Sequence, residues 1–284
     1  MKFKIHPKEQ FYFRLMVIIS TLTYVSLAFP AIMMIRYVLS NIQVLPIVAL
    51  YAFILIGLPY ITKLFLVGLI KANSIRLSDT QFAEAYEIFK SHAAKLDLKK
   101  VPACYLLQGN GVINAFAMRF AKHDYVVLYS TVLEAAYEDG IDTVSFILGH
   151  ELGHIKRRHT STAKHFLTLP AKLIPFLGKA HSRACEFTCD NIGYSLCPDG
   201  AVHGTLILAA GKQLYKKINV KEVVGSLTET VDFSVKIYET FSSHPALIKR
   251  IASMHDLYTN DVTLKSPAYT SSHVESSEQE TLLI

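Results

Sequence analysis

The sequence contains no tryptophan and few charged residues. Asp, Glu, Lys and Arg make up only 18% of its 284 residues, whereas 51% are hydrophobic, and the mean hydropathy is +0.30. This composition is apolar for a soluble protein and indicates that part of the chain lies in lipid. Without tryptophan, any aromatic belt at the bilayer surface has to use tyrosine. Tyr12, Tyr24, Tyr37 and Tyr60 lie where such a belt would be expected.

Two further absences narrow the function classes. The formal net charge is +6, but the basic residues are dispersed and form no stripe interleaved with aromatic residues, so a nucleic-acid partner is not expected.

The four cysteines are Cys104, Cys185, Cys189 and Cys197, and none belongs to the C-x2-C pair of a zinc ribbon. We therefore expect buried free thiols in a reducing compartment.

Two long apolar runs lie near the N-terminus. Residues 15–35 form an uncharged run of 21 residues, which is long enough to cross a bilayer as a helix. A second run covers residues 44–62 and continues after Lys63 to about Ile70. A cleaved signal peptide fits less well, because the first run is long, no A-x-A-like site follows it, and a second run comes directly after. The sequence therefore predicts two antiparallel transmembrane helices within residues 15–70.

The basic residues that flank these runs predict the orientation in the membrane. Residues 1–14 form a basic N-terminus, more basic residues follow the second run, and Arg36 lies alone between the runs. The positive-inside rule places both termini and the domain that follows in the cytoplasm. We therefore expect a multi-pass protein of the cell (inner) membrane.

From Ser78 onward the sequence changes to short elements of a folded domain. A capping serine followed by apolar positions at helical spacing predicts an amphipathic helix from Ser78. Residues 102–108 and 124–130 are rich in β-forming residues and predict two strands, with a turn and an edge strand between them. Residues 259–284 are polar, and we expect them to form a flexible tail. Further helices are predicted over residues 131–138, 141–159, 181–196, about 200–217 and about 244–257.

Residues 165–178 form a shorter apolar segment that contains two prolines and Lys172. This segment is too short to cross a bilayer as a helix. It is predicted to lie at the membrane interface, to enter the membrane as a re-entrant loop, or to cover the functional site as a lid.

The helix predicted over residues 141–159 carries the pattern H-E-x-x-H. His150 and His154 are four residues apart, so both imidazoles lie on one face of the helix and can bind one metal ion. Glu151 is rotated by about 100° from His150, which places it beside the metal, where it can take a proton from a water molecule. The pattern predicts a catalytic zinc site, provided that a third protein ligand exists.

The third ligand is predicted to come from a later helix. The metzincin class would require glycine and histidine at positions 157 and 160, where this sequence has Arg157 and Thr160. His159 is therefore interpreted as part of a solvated helix end. The stretch SRACEFTCDNIG instead offers Glu186, with Asp190 four residues later on the same helix face. Glu186 would complete a site of two histidines and one glutamate, and Asp190 could accept a hydrogen bond from a zinc-binding histidine.

This order of features resembles the integral-membrane zinc metallopeptidases that include the HtpX-like proteases and the CAAX prenyl endopeptidases. The resemblance covers most of residues 10–255. It rests on the membrane hairpin and on four motifs: NAFA at 114–117, HELGH at 150–154, EFTCD at 186–190 and SHPALIKRI at 243–251.

The resemblance implies a gluzincin site with one Zn²⁺ ion per chain. His150, His154 and Glu186 would bind the zinc ion. Glu151 would act as general base and general acid, and Asp190 would orient one of the zinc ligands.

The same resemblance implies how a polypeptide substrate would bind. The NAFA segment would be an edge strand that pairs with the peptide, held by Asn114 and by the carbonyl group of Ala115. His244 would stabilise the oxyanion of the transition state, and Arg250 would contact a substrate carbonyl.

The expected fold is mainly α with a small β-sheet, and consists of the transmembrane helical hairpin and a zincin-like metallopeptidase domain over residues 78–258. The expected function is that of a membrane-bound zinc metalloendopeptidase that cleaves membrane or misfolded proteins in protein quality control. Three alternatives remain: a catalytically inert, zinc-stabilised membrane scaffold, processing of CAAX-type prenylated proteins, or metal-dependent hydrolysis of a lipid or another non-peptide substrate. A scaffold would need the metal ligands but not Glu151, so this residue favours the enzyme. The prenyl endopeptidases have several more membrane spans, which makes CAAX processing the less expected assignment.

The predicted orientation can be tested with reporter fusions at residue 40 and at the C-terminus. The positive charges lie before the first run and after the second, so both ends of the hairpin should be cytoplasmic. At the C-terminus, a reporter that works only in the cytoplasm should be active. At residue 40, a reporter that works only outside the cytoplasm should be active. A C-terminal reporter that is active only outside the cytoplasm would contradict the predicted topology.

Overall fold

The computed structural model describes residues 3–265 of the chain. It is mostly helical and contains one small sheet of four strands. The helices are α1 (Pro7–Ser40), α2 (Leu45–Ala52), α3 (Leu58–Asn73), α4 (Ala83–Lys95), α5 (Ser130–Asp139), α6 (Asp142–Lys156), α7 (Thr162–Leu167), α8 (Leu169–Lys172), α9 (Leu177–Leu196), α10 (Ala201–Leu214), α11 (Val220–Gly225), α12 (Leu227–Thr230), α13 (Phe233–Phe241) and α14 (Leu247–Lys265). The strands are β1 (Ser74–Arg76), β2 (Ala103–Leu107), β3 (Ala115–Phe120) and β4 (His123–Tyr129).

The N-terminal part contains two helical segments that are long and apolar enough to cross a membrane. They are α1 and the segment Ile42–Asn73, in which α2 and α3 are joined by the π-helical turn Phe53–Gly57. Pro59 follows this turn and lacks the N–H group that an α-helix would use there, which explains the local change in hydrogen bonding. Most of the large apolar side chains of both segments are exposed, as expected for helices that lipid surrounds.

Helix α1 begins at Pro7, eight residues before the start of the predicted span. Its first turns belong to the folded domain because they pack against α9. Glu9 is buried there, and the backbone N–H of His6 donates to Thr188 Oγ1 over 3.0 Å. The residues predicted as a basic N-terminal extension therefore contribute to the interface between the membrane helix and the domain.

The four strands have the spatial order β1-β2-β4-β3. Strand β2 pairs in parallel with β4, and the other two pairs are antiparallel. Strand β3 lies at one edge of the sheet, where the sequence predicted an edge strand. One face of β2 and β4 packs with α4, α5 and α6 in the main core, whose members include Phe89, Val126, Leu128, Leu148 and Leu152. The other face packs against α3 in a smaller cluster that includes Val67, Tyr125 and Val127.

The structure differs from the sequence-based prediction in the C-terminal third. Helices α11, α12 and α13 occupy residues 220–241, for which no helix was predicted. Helix α14 continues to Lys265, seven residues beyond the expected end of the domain at residue 258. The remainder of the predicted tail, residues 266–284, lies outside the described residues.

The apolar segment 165–178 does not form a spanning helix. It contains the end of α7, the short helix α8 and the start of α9, and it lies along α1. The backbone N–H of Ala171 donates to Ser20 Oγ over 3.2 Å, and the hydroxyl group of Tyr24 donates to the carbonyl group of Phe166. Leu173 at the turn is 80% exposed. The contacts with α1 favour an interfacial position for this segment.

Helices α6 and α9 approach each other closely because glycine occupies three contact positions. A Cβ atom on Gly149 would lie 3.2 Å from the Cα atom of Gly193, and one on Gly153 would lie 3.4 Å from the Cα atom of Cys189. A Cβ atom on Gly193 would lie 2.9 Å from a ring carbon and 3.0 Å from the carbonyl oxygen of Phe146. Any larger residue at these positions would push the two helices apart.

The substitution Gly193→Ala should therefore destabilise the domain. A well-packed interface that receives an additional methyl group loses about 1–3 kcal/mol, so the midpoint of thermal unfolding in detergent should fall. The control is Gly225→Ala, because no atom lies within 4 Å of the added Cβ there. Equal unfolding temperatures for the two variants would contradict the tight α6–α9 contact.

Candidate metal centre

Helix α6 places three of the predicted site residues at the base of a cleft. Leu148 and Leu152 on one face of the helix are fully buried in the core. His150, Glu151 and His154 lie on the opposite side and line a cavity of about 250 Å³. The helix is buried along almost its entire length, so these side chains are held by a rigid backbone.

Helix α9 brings Glu186 against the two histidines. Glu186 Oε2 lies 3.5 Å from His150 Nε2, and Glu186 Oε1 lies 3.5 Å from His154 Nε2. The two Nε2 atoms are 3.2 Å apart. These three side chains thus direct one ligand atom each towards a common point.

These separations fit a tetrahedral zinc ion. With ligand bonds of about 2.0–2.1 Å and tetrahedral angles, two ligand atoms of one zinc ion lie about 3.3 Å apart. The measured separations of 3.2–3.5 Å agree with that value. Two imidazoles and one carboxylate also match the ligand set of a catalytic zinc site, which leaves a fourth position for water.

Two other groups of potential ligands occur among the described residues, and both include His159. One combines His159 with His154 and Cys189, and the other with Glu9 and Cys185. Burial raises the pKa of both cysteine thiols well above the usual value, so the thiols stay protonated and are poor ligands. The group of His150, His154 and Glu186 is therefore the best candidate for the metal.

Asp190 and Arg250 form a buried charged network behind His150. His150 Nδ1 lies 2.9 Å from Asp190 Oδ1, so its N–H donates to this carboxylate and Nε2 is left to face the cleft. Arg250 Nε and Nη2 donate to the two oxygens of Asp190 over 2.9 and 2.7 Å. Burial lowers the pKa of His150, but the carboxylates of Asp190 and Glu186 outweigh this effect and raise it to about 10. The two carboxylates thus favour a positive charge at the His150 imidazole, whether a proton or a metal ion supplies it.

A second chain of contacts leads from His154 to α1. His154 Nδ1 lies 3.2 Å from His159 Nδ1, and His159 Nε2 lies 3.2 Å from Glu9 Oε1. If His154 Nε2 binds a metal, its proton has to lie on Nδ1 and be donated to His159, which in turn donates to Glu9. Arg157 Nη2 also donates to Glu9 Oε1 over 2.8 Å.

The interpretation of His159 as part of a solvated helix end was wrong. Its side chain is only 10% exposed, because α6 ends at Lys156 and Arg158 adopts a left-handed conformation with φ of 57° that turns the chain back. Arginine is not a residue that signals such a turn. Neither this turn nor the contact with Glu9, 150 residues away, could be recognised from local patterns.

Glu151 is buried beside the metal ligands and next to strand β3. Burial raises its pKa to about 7, and the nearby charge of Glu186 acts in the same direction. The backbone N–H of Ala117 lies close enough to stabilise the carboxylate and partly opposes this shift. A carboxyl group with a pKa near neutrality can accept and return a proton under the same conditions.

Strand β3 presents an open edge to the same cavity. The N–H of Tyr129 donates to the carbonyl oxygen of Asn114 over 3.0 Å, so this pair is hydrogen-bonded. Such pairs alternate in antiparallel sheets, which means that the backbone groups of Ala115 and Ala117 point away from β4. Asn114 Oδ1 accepts a hydrogen bond from the N–H of Ala115 over 2.9 Å. The carbonyl group of Ala115 and the N–H of Ala117 thus face the open edge.

His244 and Arg250 lie on the other side of the cleft. The His244 side chain is 63% exposed, and its Nε2 lies 3.7 Å from Glu186 Oε1. The guanidinium group of Arg250 is buried and contacts Asp190 through two nitrogens, while Nη1 lies 3.7 Å from Glu186 Oε2. Its main contacts are thus with the carboxylates of the site, whereas the resemblance implied a contact with a substrate carbonyl, which stays a prediction.

The structure brings the predicted site residues together. Eight of the nine line one cavity: Asn114, Ala115, His150, Glu151, His154, Glu186, His244 and Arg250. The ninth, Asp190, is fully buried behind His150. Sequence analysis did not identify Glu9 or His159 as part of this arrangement.

Comparisons with known proteins identify the family. A model of peptidase family M48 matches residues 79–169 and 162–257, which together are more than half of the chain. No curated protein matches the sequence. The crystal structure of Ste24p from S. mikatae matches with 16% sequence identity and a TM-score of 0.43, over 85% of this chain and 66% of that chain. The matched region is thus slightly less than two thirds of the length of Ste24p. On the match to its family model, which covers more than half of its length, the chain belongs to peptidase family M48.

Proposed function

We propose that the chain is a membrane-anchored, zinc-dependent endopeptidase that cleaves membrane or misfolded proteins on the cytoplasmic side. The observation that carries this proposal is the convergence of His150, His154, Glu186 and Glu151 beside an open strand edge in one cavity. A scaffold would need the three ligands but not an ionisable carboxyl group beside them.

The proposed cofactor is one Zn²⁺ ion, held by His150 Nε2, His154 Nε2 and Glu186. When bound, zinc lowers the pKa of a coordinated water molecule and polarises the carbonyl group of the substrate. Asp190 keeps His150 in the tautomer that presents Nε2 to the metal, and His159 does the same for His154.

Glu151 is the proposed general base and general acid. Its ionised form takes the proton from the attacking water and later returns a proton to the leaving amine. The raised pKa of about 7 supports both steps, because a more acidic carboxyl group would return the proton less readily. His244, at the mouth of the cleft, is proposed to donate a hydrogen bond to the oxyanion.

The polypeptide substrate is proposed to bind as an additional strand along β3. The carbonyl groups of Ala115 and Ala117 point away from β4 and offer two acceptors to an extended peptide. Backbone pairing of this kind does not depend on the peptide's side chains, which suits a protease that acts on many unfolded segments. The apolar N-terminal helices would hold the cleft near proteins of the same membrane.

Removal of the third ligand tests the proposed metal site. The variant Glu186→Ala loses one of three protein ligands, so its zinc content after purification should fall well below one ion per chain. The control variants Glu222→Ala and Glu229→Ala change glutamates of α11 and α12, outside the residues that line the cleft, and should retain zinc. Full zinc content in Glu186→Ala would point to another ligand.

The substitution Glu151→Gln separates metal binding from proton transfer. The glutamine has nearly the same volume, so fold and zinc content should be preserved. The rate of casein cleavage should fall by about 10²–10⁴, because the group that moves the proton is lost. His150→Ala should lose zinc and activity together. Cleavage by Glu151→Gln at the rate of the unmodified protein would show that the cleft is not a peptidase site.

A further inference from the structure

A second cavity lies on the other side of the metal ligands, between α1, the end of α6 and the segment that contains α7 and α8. Its volume is about 190 Å³, and it shares no lining residue with the catalytic cleft among the described residues. Apart from histidines, the walls carry four basic side chains: Arg14, Arg157, Lys164 and Lys172. Glu9 is the one carboxylate among the described residues that line it.

The positive charge of this cavity is not balanced by the groups around it. Glu9 is paired with Arg157 over 2.8 Å, which leaves three basic side chains. Lys164 Nζ donates to the carbonyl group of Arg157 over 2.7 Å, and Lys172 Nζ lies 3.0 Å from His165 Nδ1, so both contact neutral groups. Burial lowers the pKa of both lysines, and neighbouring cations act in the same direction. A bound anion would relieve this repulsion.

The cavity lies at the level where a membrane surface is expected. Arg14 directly precedes the apolar run of α1, and Lys63 of α3 is near enough to add to the positive potential at Lys172. Beside the cavity, the segment 165–178 exposes apolar side chains at Phe166, Leu173 and Ile174. Basic groups and exposed apolar groups are thus adjacent, which matches the two parts of a phospholipid.

We propose that this cavity binds the phosphate group of an anionic phospholipid, with the acyl chains lying along α1 and the exposed apolar residues of segment 165–178. Arg14, Lys164 and Lys172 supply charge-assisted hydrogen bonds to the phosphate. A metal ion at Glu9, His159 and Cys185 is the weaker interpretation, because Arg157 already neutralises Glu9 and the other basic groups would repel a second cation.

The test uses the full-length protein in detergent and native mass spectrometry. Phosphatidylglycerol, phosphatidylcholine with the same acyl chains, and inorganic phosphate are each titrated, and the fraction of protein with one bound ligand is measured. Phosphatidylglycerol should bind about tenfold more tightly than phosphatidylcholine. Inorganic phosphate alone should bind more weakly than either lipid, because it lacks the acyl chains.

The variant Arg14→Gln/Lys172→Gln should weaken binding of phosphatidylglycerol by about tenfold or more. The control Lys99→Gln/Lys100→Gln removes two exposed charges elsewhere and should change binding by less than about twofold. Lys164→Gln serves as a second test if the double variant is unstable. The variant Glu151→Gln should bind phosphatidylglycerol as tightly as the unmodified protein does. Lipid binding can therefore be judged separately from peptidase activity.

Three outcomes would overturn the proposal. Equal affinity for the two lipids would show that charge does not direct binding. An equal loss of affinity in both double-glutamine variants would show a general effect of net charge. Binding of inorganic phosphate as tightly as phosphatidylglycerol would identify a site for free phosphate.

Discussion

The proposed metal site depends on the close contact between α6 and α9. Gly149, Gly153 and Gly193 allow the two backbones to approach until Glu186 lies 3.5 Å from both histidines. A zinc ion tolerates deviations of only about 0.2 Å in its ligand distances. A helix separation increased by one methyl group would exceed this tolerance. The glycines therefore determine how His150, His154 and Glu186 are arranged, although none of them is a candidate ligand.

The residues that orient His150 and His154 include some from helices at both ends of the described chain. His150 is held by Asp190, which is in turn held by Arg250 of α14. His154 is held through His159 and Glu9 of α1. His150 is thus held by a carboxylate directly and His154 through a second imidazole, and each of the two carboxylates is paired with an arginine. The folded domain, its C-terminal helix and the first membrane helix together keep the two histidines in place.

Sequence analysis identified the elements whose signals are local. The predicted strands 102–108 and 124–130 lie within one residue of β2 and β4 at each end, because β-forming residues and turns define them. The spacing of His150, Glu151 and His154 likewise predicts one helix face. Helix α13 was missed although local signals for it exist: Asp232 caps its N-terminus, and Phe233, Ile237 and Phe241 recur at four-residue spacing. The role of Glu9 depends on folding, since it contacts residues about 150 positions away.

The burial of Glu9 explains why the first turns of α1 belong to the domain and not to the bilayer. A buried carboxylate costs several kcal/mol unless a cation or hydrogen-bond donors compensate for it. Arg157 and His159 provide that compensation, and both belong to the turn that ends α6. A shift of α1 along its axis would leave the carboxylate of Glu9 buried without its partners. The ion pair therefore fixes the position of α1 relative to the candidate metal ligands, which general apolar packing could not do.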